Sequence, residues 1–202
     1  MTNPNLTEIV CIIDRSGSME SIRTDAIGGF NAFLAEQQKL PGDAKLTLVL
    51  FDHEYILHLD GVPLQDVQPL DETTYVPRGT TALLDAIGRT VDDVGKRLGA
   101  TPEDERPGKV IVVILTDGLE NASRDYTHER VRALITHQSE KYSWEFVFLA
   151  ANQDAIAAAG QIAIQPQNAV AFAATPAGVQ GVLQEASARV TESRRPYSRR
   201  GA

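Results

Sequence analysis

The sequence predicts an α/β fold: a doubly wound, mainly parallel sheet with one antiparallel edge strand and helices on both faces. Continuous apolar runs of five or six residues, typical of strands buried on both sides, alternate with stretches of helical apolar spacing. One further run alternates apolar with polar residues and directly follows another strand. This pattern is typical of the edge strand of a hairpin.

The elements are predicted in the order β-α-β-β-α-β-α-β-α-β-α. Strands are predicted at residues 9–13, 46–51, 55–59, 110–115, 144–151 and 170–173, with 55–59 as the antiparallel edge strand. Helical periodicity covers residues 22–34, 84–98, 131–135, 154–160 and 179–190. Thr127 and Thr175 precede the third and last helices, where threonine is a favoured N-cap, and Pro176 suits a first helical position.

The length of 202 residues is typical of one domain that can bury a full core. We expect a flexible N-terminus over residues 1–5, the domain over 6–193 and a basic, disordered tail over 194–202. The single cysteine, Cys11, excludes an internal disulfide or a cysteine-based zinc cluster. It falls in an apolar strand, where inert packing is expected. The apolar runs are too short to span a bilayer, and residues 1–8 lack a signal-peptide pattern, so a cytoplasmic location is expected.

The net charge of −8 argues against nucleic acid as the main partner and is compatible with a cation site. No DNA or membrane partner is expected. Four arginines nevertheless fall within the last nine residues, which hold no acid. This end would either contact RNA or an acidic protein, or be a solvated terminus.

Small oxygen-bearing side chains follow the predicted strands at one edge of the sheet. Asp14, Ser16 and Ser18 follow the first strand, Thr81 precedes the second long helix, and Asp117 follows the strand at 110–115. Ligands of open α/β sheets bind at the carboxyl ends of the strands. Two carboxylates and three hydroxyls are hard oxygen ligands that suit Mg²⁺ or Mn²⁺ and, less specifically, Ca²⁺.

These motifs resemble the metal-ion-dependent adhesion site of von Willebrand factor A domains. The resemblance rests on Asp14-x-Ser16-x-Ser18, on a Gly-Thr-Thr-Ala-Leu loop and on Thr116-Asp117-Gly118, and it covers roughly residues 6–192 in motif and element order. It implies a Rossmann-like fold with a complete metal site. It also implies that the chain is a stand-alone, bacterial-type intracellular member of this family.

The resemblance also implies roles for the five residues. Ser16, Ser18 and Thr81 would bind the metal through their hydroxyls, with Thr80 as the alternative to Thr81. Asp14 and Asp117 would bind directly or through ordered water. The sixth position would be left for water or for a glutamate or aspartate of a partner protein.

The expected function is therefore a non-enzymatic, divalent-metal-dependent protein-binding module, in a stress-response or AAA+-associated assembly. The alternative is a metal-dependent hydrolase or phosphatase that uses Asp14 as a nucleophile. That chemistry uses a second aspartate two residues later, whereas Ser16 stands here. The sequence also lacks a Gly-x-Ser-x-Gly elbow and a phosphate-binding P-loop.

Simpler interpretations stay open for single residues, because serine, threonine and aspartate also cap helices and form turns. The group Asn152–Asp154 would frame the ligand surface or cap a helix. The polar loop with Glu120, Asn121, Ser123, Arg124 and Asp125 would set partner specificity or be solvated. Asp52-His53-Glu54 is predicted to be a hairpin turn rather than a metal site, and Trp144 a packing residue.

Overall fold

A computed structural model describes residues 1–151 and 153–195 as one six-stranded sheet flanked by helices. The strands are β1 (Asn3–Asp14), β2 (Asp43–Phe51), β3 (Tyr55–Pro63), β4 (Pro107–Thr116), β5 (Glu145–Ala150) and β6 (Ala169–Ala171). The helices are α1 (Arg23–Gln38), α2 (Leu83–Ala100), α3 (His128–Tyr142), α4 (Gln153–Gln161) and α5 (Pro176–Arg194). The element order confirms the sequence prediction.

The strand order across the sheet is β3-β2-β1-β4-β5-β6. The pair β2–β3 is antiparallel and the other pairs are parallel, so β3 is the antiparallel edge strand, as predicted. The chain runs outward from β1 to β2 on one side and later starts again beside β1 with β4. The switch point of the sheet therefore lies between the carboxyl ends of β1 and β4, where such folds form a crevice.

Alternate residues of β1 enter two separate cores, one on each face of the sheet. Ile9, Cys11 and Ile13 pack with α1 and α5. Val10 and Ile12 pack with α2, α3 and α4. All five are 4 % exposed or less, and burying each valine or isoleucine side chain contributes about 1.5–3 kcal/mol. Two-sided burial explains why the strand is apolar throughout rather than at every second position.

The helix caps predicted from the sequence are confirmed. Thr127 Oγ1 accepts a hydrogen bond from Arg130 N at 3.3 Å, and Thr175 Oγ1 accepts one from Gly178 N at 3.2 Å. Each bond satisfies an amide that has no partner within its helix.

Some boundaries differ from the predictions. β1 begins at Asn3, inside the segment expected to be flexible, because Asn3 N donates to Arg106 O at 2.8 Å. A 3-10 segment over Gly17–Ile22 precedes α1, which begins at Arg23, one residue after the first apolar position of the predicted helix. Arg194, predicted to begin the tail, ends α5, and its Nη1 donates to Gln37 O at 2.7 Å. The rest of the predicted tail, from residue 196, lies outside the described residues.

A buried ion pair lies near the middle of β1, six residues before Asp14. Glu8 is fully buried, and its Oε1 accepts hydrogen bonds from Thr47 Oγ1 of β2 and from Arg97 Nη2 of α2, each at 2.7 Å. Arg97 Nε also lies 2.8 Å from Asp60 Oδ1 of β3. The Arg97 guanidinium thus joins α2 to three strands of the sheet.

Cys11 and Trp144 are packing residues, as predicted. Cys11 is 2 % exposed, and Trp144 is 7 % exposed with its ring centroid 6.4 Å from that of Phe146. Among the described residues, no helix combines the length and apolarity that crossing a membrane requires.

We expect the Cys11 thiol to be unreactive in the native protein. Burial raises the pKa of Cys11 to about 12, and the thiolate is the nucleophilic form. Dithionitrobenzoate at pH 8 should label no thiol in the native protein and one per chain in urea. Between the unfolded pKa near 9 and about 12 the native state keeps a proton that the unfolded state loses, so stability falls as pH rises there. Cys11→Ala should reduce that fall, and rapid native labelling would contradict the prediction.

Candidate metal centre

The candidate site lies at the switch point of the sheet. Asp14 is the last residue of β1 and Thr116 is the last residue of β4, and Asp117 follows directly. Adjacent parallel strands therefore deliver the first and third motifs to the same crevice, as the sequence predicts.

The loop before α2 is fixed against the first motif by backbone hydrogen bonds. Arg78 N donates to Arg15 O at 2.8 Å, and Gly17 N donates to Gly79 O at 3.1 Å. Gly79 has a φ of +67°, and a Cβ there would lie 2.1 Å from His53 Nδ1. The positive φ favours glycine at this position, and any side chain here would also displace the His53 ring.

Asp14 is fully buried and both of its carboxylate oxygens are engaged. Oδ1 accepts from Ser16 N and Oδ2 accepts from Thr116 Oγ1, each at 2.6 Å. Burial raises the pKa of Asp14 to about 6, although these hydrogen bonds from Thr116 and Ser16 lower it, and the charge of Asp117 raises it further. Asp14 is thus a desolvated carboxylate that a nearby cation would stabilise.

A chain of hydrogen bonds links the first motif to the third. Ser16 Oγ lies 3.1 Å from Ser18 Oγ, and Ser18 Oγ donates to Asp117 Oδ1 at 2.7 Å. Ser16 is buried, Ser18 is exposed and Asp117 is half-buried, so this series of hydrogen bonds extends from the buried edge of the sheet to the surface. Partial burial raises the pKa of Asp117 as well.

Thr81, and not Thr80, faces this cluster. Thr81 is 3 % exposed, whereas Thr80 is exposed to solvent. A Cβ built on Gly118 would lie 3.3 Å from Thr81 Oγ1 and 3.7 Å from Ser18 Oγ, so both hydroxyls border the Gly118 backbone. The structure therefore brings Asp14, Ser16, Ser18, Thr81 and Asp117 together.

The side chains present fit a hard divalent cation. All five side chains offer oxygen, and the two carboxylates have no lysine, arginine or histidine as an ion-pair partner within the described ranges. Over those same ranges, no group of three or more His, Cys, Asp or Glu side chains could hold a metal ion. Any metal site here thus depends on hydroxyls as well as carboxylates, as expected for Mg²⁺ with retained waters.

Two residues that hold the site in place were not assigned this role from the sequence. Tyr75 is buried, and its hydroxyl donates to the Asp14 carbonyl at 2.5 Å. Asn121 Oδ1 accepts a hydrogen bond from Thr81 N at 2.9 Å. Tyr75 stands alone in a polar segment with no local pattern, whereas Asn121 belongs to the polar loop that the sequence singled out.

That polar loop is held by its own side chains. Glu120 Oε1 accepts from the amides of Ala122 and Ser123, and Oε2 accepts from Leu84 N at 2.9 Å. Glu120 therefore caps α2 and closes the loop. The last candidate at this edge of the sheet is the group Asn152–Asp154. Asn152 and the side chains of Gln153 and Asp154 lie outside the described residues.

The Asp52–Glu54 segment forms the hairpin turn between β2 and β3, as predicted. Asp52 N donates to Glu54 O at 3.1 Å, and Glu54 N donates to Asp52 Oδ1 at 2.6 Å. The Asp52 carboxylate also contacts two guanidinium groups. Arg15 Nη2 lies 2.9 Å from Asp52 Oδ2, and Arg78 Nε donates to the same oxygen at 3.1 Å.

Comparison with solved structures shows the von Willebrand factor A fold. The von Willebrand factor domain of a type V pili tip protein from Porphyromonas gingivalis superposes with a TM-score of 0.67 at 12% identity, covering 100% of this chain and 98% of that one. A von Willebrand factor type A protein from Catenulispora acidiphila gives 0.60 at 17% identity, over 94% and 43%.

A third similar structure is proximal thread matrix protein 1 of the mussel byssus, with a zinc-occupied adhesion-site motif. Its TM-score is 0.60 at 16% identity, covering 89% of this chain and 46% of that one. The chain spans about half the length of the mussel protein structures that it matches. No protein-family sequence model matches the chain, and comparison with curated proteins found no match.

Proposed function

We propose that the chain is a protein-binding module that captures its partner through a divalent cation, Mg²⁺ or Mn²⁺. The observation that carries the proposal is the convergence of Asp14, Ser16, Ser18, Thr81 and Asp117 at the switch point. Each comes from one of three loops that are hydrogen-bonded to one another. The zinc-occupied motif of the mussel protein supports a divalent cation on this fold, and Ca²⁺ would be a weaker fit to the same donors.

The five side chains divide into two groups by chemistry, three hydroxyls and two carboxylates. Ser16, Ser18 and Thr81 would hold the cation through their hydroxyl oxygens. Asp14 is fully buried and both of its oxygens already accept hydrogen bonds, so it suits an indirect role through ordered water. Asp117 is half-buried and can act either directly or through water.

The charge of the donor set favours an acidic ligand from the partner. The three hydroxyls are neutral, and Asp14 in its indirect role would lie behind a water, so the donors in direct contact with the cation would carry little negative charge. A glutamate or aspartate of a partner protein would complete the coordination shell. Leu119, 50 % exposed beside Gly118, offers apolar surface next to that position.

The geometry does not favour the hydrolase alternative. A nucleophilic carboxylate must reach the substrate, whereas the Asp14 side chain is fully buried behind hydrogen bonds to Ser16 and Thr116. We therefore propose a binding module rather than a hydrolase that uses Asp14 as its nucleophile.

Two measurements test the proposal, with Asp117→Ala as the variant and Asp104→Ala as the matched control. Asp104 is an exposed aspartate that precedes β4, at the end of that strand away from Asp117. In calorimetric titration, Mn²⁺ should bind the wild type and the control but not Asp117→Ala. In affinity capture, the wild type and the control should retain a partner protein in Mg²⁺ or Mn²⁺ and release it in EDTA. Absence of cation binding by the wild type would refute the proposal, as would retention of the partner in EDTA.

A further inference from the structure

A buried arginine stands in the middle of the first motif. Arg15 separates Asp14 from Ser16, and its side chain is 7 % exposed. Its Nε and Nη2 atoms are buried without a well-directed hydrogen bond among the described residues, although Nη2 lies 2.9 Å from Asp52 Oδ2. The placement is unexpected, because a buried positive charge beside a cation site opposes the cation.

Asp52 is the carboxylate that faces this charge. Its side chain is fully buried, and Oδ2 also accepts from Arg78 Nε at 3.1 Å. Arg78 has a second acidic partner in Glu54, whereas Asp52 is the acidic partner of Arg15 among the described residues. Loss of the Asp52 charge would therefore leave Arg15 uncompensated.

Asp52 also contacts both loops that carry hydroxyl ligands of the proposed site. Its carbonyl accepts from Ala82 N at 2.9 Å, directly after Thr81. The neighbouring carbonyl of Phe51 accepts from Arg15 N at 2.7 Å. The end of β2 thus supports the first and second motifs from the side.

We propose that Asp52 is a positioning residue of the cation site, which holds the Arg15 guanidinium away from the bound cation and cancels its charge. The inference rests on the metal-dependent function proposed above and assigns a role to a residue outside the five proposed ligands. Asp52 and Glu54 then balance the charges of Arg15 and Arg78, which leaves the negative charge of Asp14 and Asp117 to the cation.

The test compares the wild type with Asp52→Asn, Arg15→Met and the double variant. Mn²⁺ affinity is measured by calorimetric titration, and the stability of the metal-free protein is measured by urea unfolding. Asp52→Asn should weaken Mn²⁺ binding by about tenfold, the effect that one nearby charge has on a carboxylate pKa. Arg15→Met should bind at least as tightly as the wild type. The double variant should regain the affinity that Asp52→Asn loses, because neither charge remains.

The matched control is Glu8→Gln, which neutralises a second fully buried arginine-paired acid, near the middle of β1. It should lower stability and leave Mn²⁺ affinity unchanged. A merely structural role for Asp52 predicts instead that Arg15→Met also weakens Mn²⁺ binding, or that the double variant does not recover. Either result overturns the inference and leaves the proposed function standing, whereas a wild type that binds no Mn²⁺ refutes both. If Asp52→Asn does not fold, Arg15→Met decides alone.

Discussion

Thr81→Val is expected to weaken Mn²⁺ binding by at least about tenfold, because even a residue that only orients a metal ligand is worth 10- to 100-fold in affinity. Valine keeps the shape of threonine and removes the hydroxyl. Thr81 Oγ1 borders Gly118 and has no hydrogen-bond partner within the described part of the chain. The change therefore leaves no other group without a hydrogen-bond partner. Calorimetric titration with Mn²⁺ measures the effect.

Thr80→Val is the matched control, since the two threonines are adjacent and differ in burial. Thr80 is exposed, and its substitution should leave both affinity and stability unchanged. The pair also decides between the two alternatives that the sequence left open for the second motif. Equal affinity in Thr81→Val and the wild type, or a loss confined to Thr80→Val, would contradict the assignment.

Arg97→Met is expected to destabilise the protein by about 3–5 kcal/mol, the cost of leaving a buried charge without its partner. Glu8 is fully buried, and Arg97 is its one cationic partner among the described residues. Methionine retains much of the apolar length of arginine, so the loss reports the charge rather than packing. Urea unfolding, with the slope compared between variants, measures it.

The control is Arg89→Met, on the same helix. Arg89 is 57 % exposed and forms an ion pair with Asp93 one helical turn away. An exposed ion pair of this kind contributes about 0.3–0.5 kcal/mol to the free energy of unfolding. The double variant Glu8→Leu with Arg97→Met should recover most of the loss, because no buried charge remains. A loss below about 1 kcal/mol in Arg97→Met would show that solvent reaches Glu8.

The fold follows from signals that are local in the sequence. The apolar run around Ile9–Ile13 and the spacing of apolar residues in α2 and α5 each determine one element without reference to the rest of the chain. Order and handedness rules then restrict how such elements pack. For the same reason the polar strand ends, Asp14 and Asp117, could be placed at one edge before any coordinates.

The supports of the site could not be predicted, because they are contacts between distant segments. The Tyr75 hydroxyl reaches Asp14 across 61 positions, and Asn121 holds Thr81 across 40. Asp52 looks like an ordinary turn residue, and its turn is indeed present. Its second role, facing Arg15, depends on β2 lying beside β1, which no local pattern around residue 52 specifies.

The hydrogen bond between Ser18 and Asp117 joins two positions 99 residues apart. The oxygen cluster therefore has no counterpart in the unfolded chain, where its members are scattered through a flexible coil. Any ligand that selects this cluster selects the native state and stabilises it by mass action, by about 2.7 kcal/mol at a hundredfold excess over Kd. Ligand occupancy would thus report the fraction of chains that are folded. For the cation proposed above, the resistance of this protein to heat or proteases would follow the concentration of free cation.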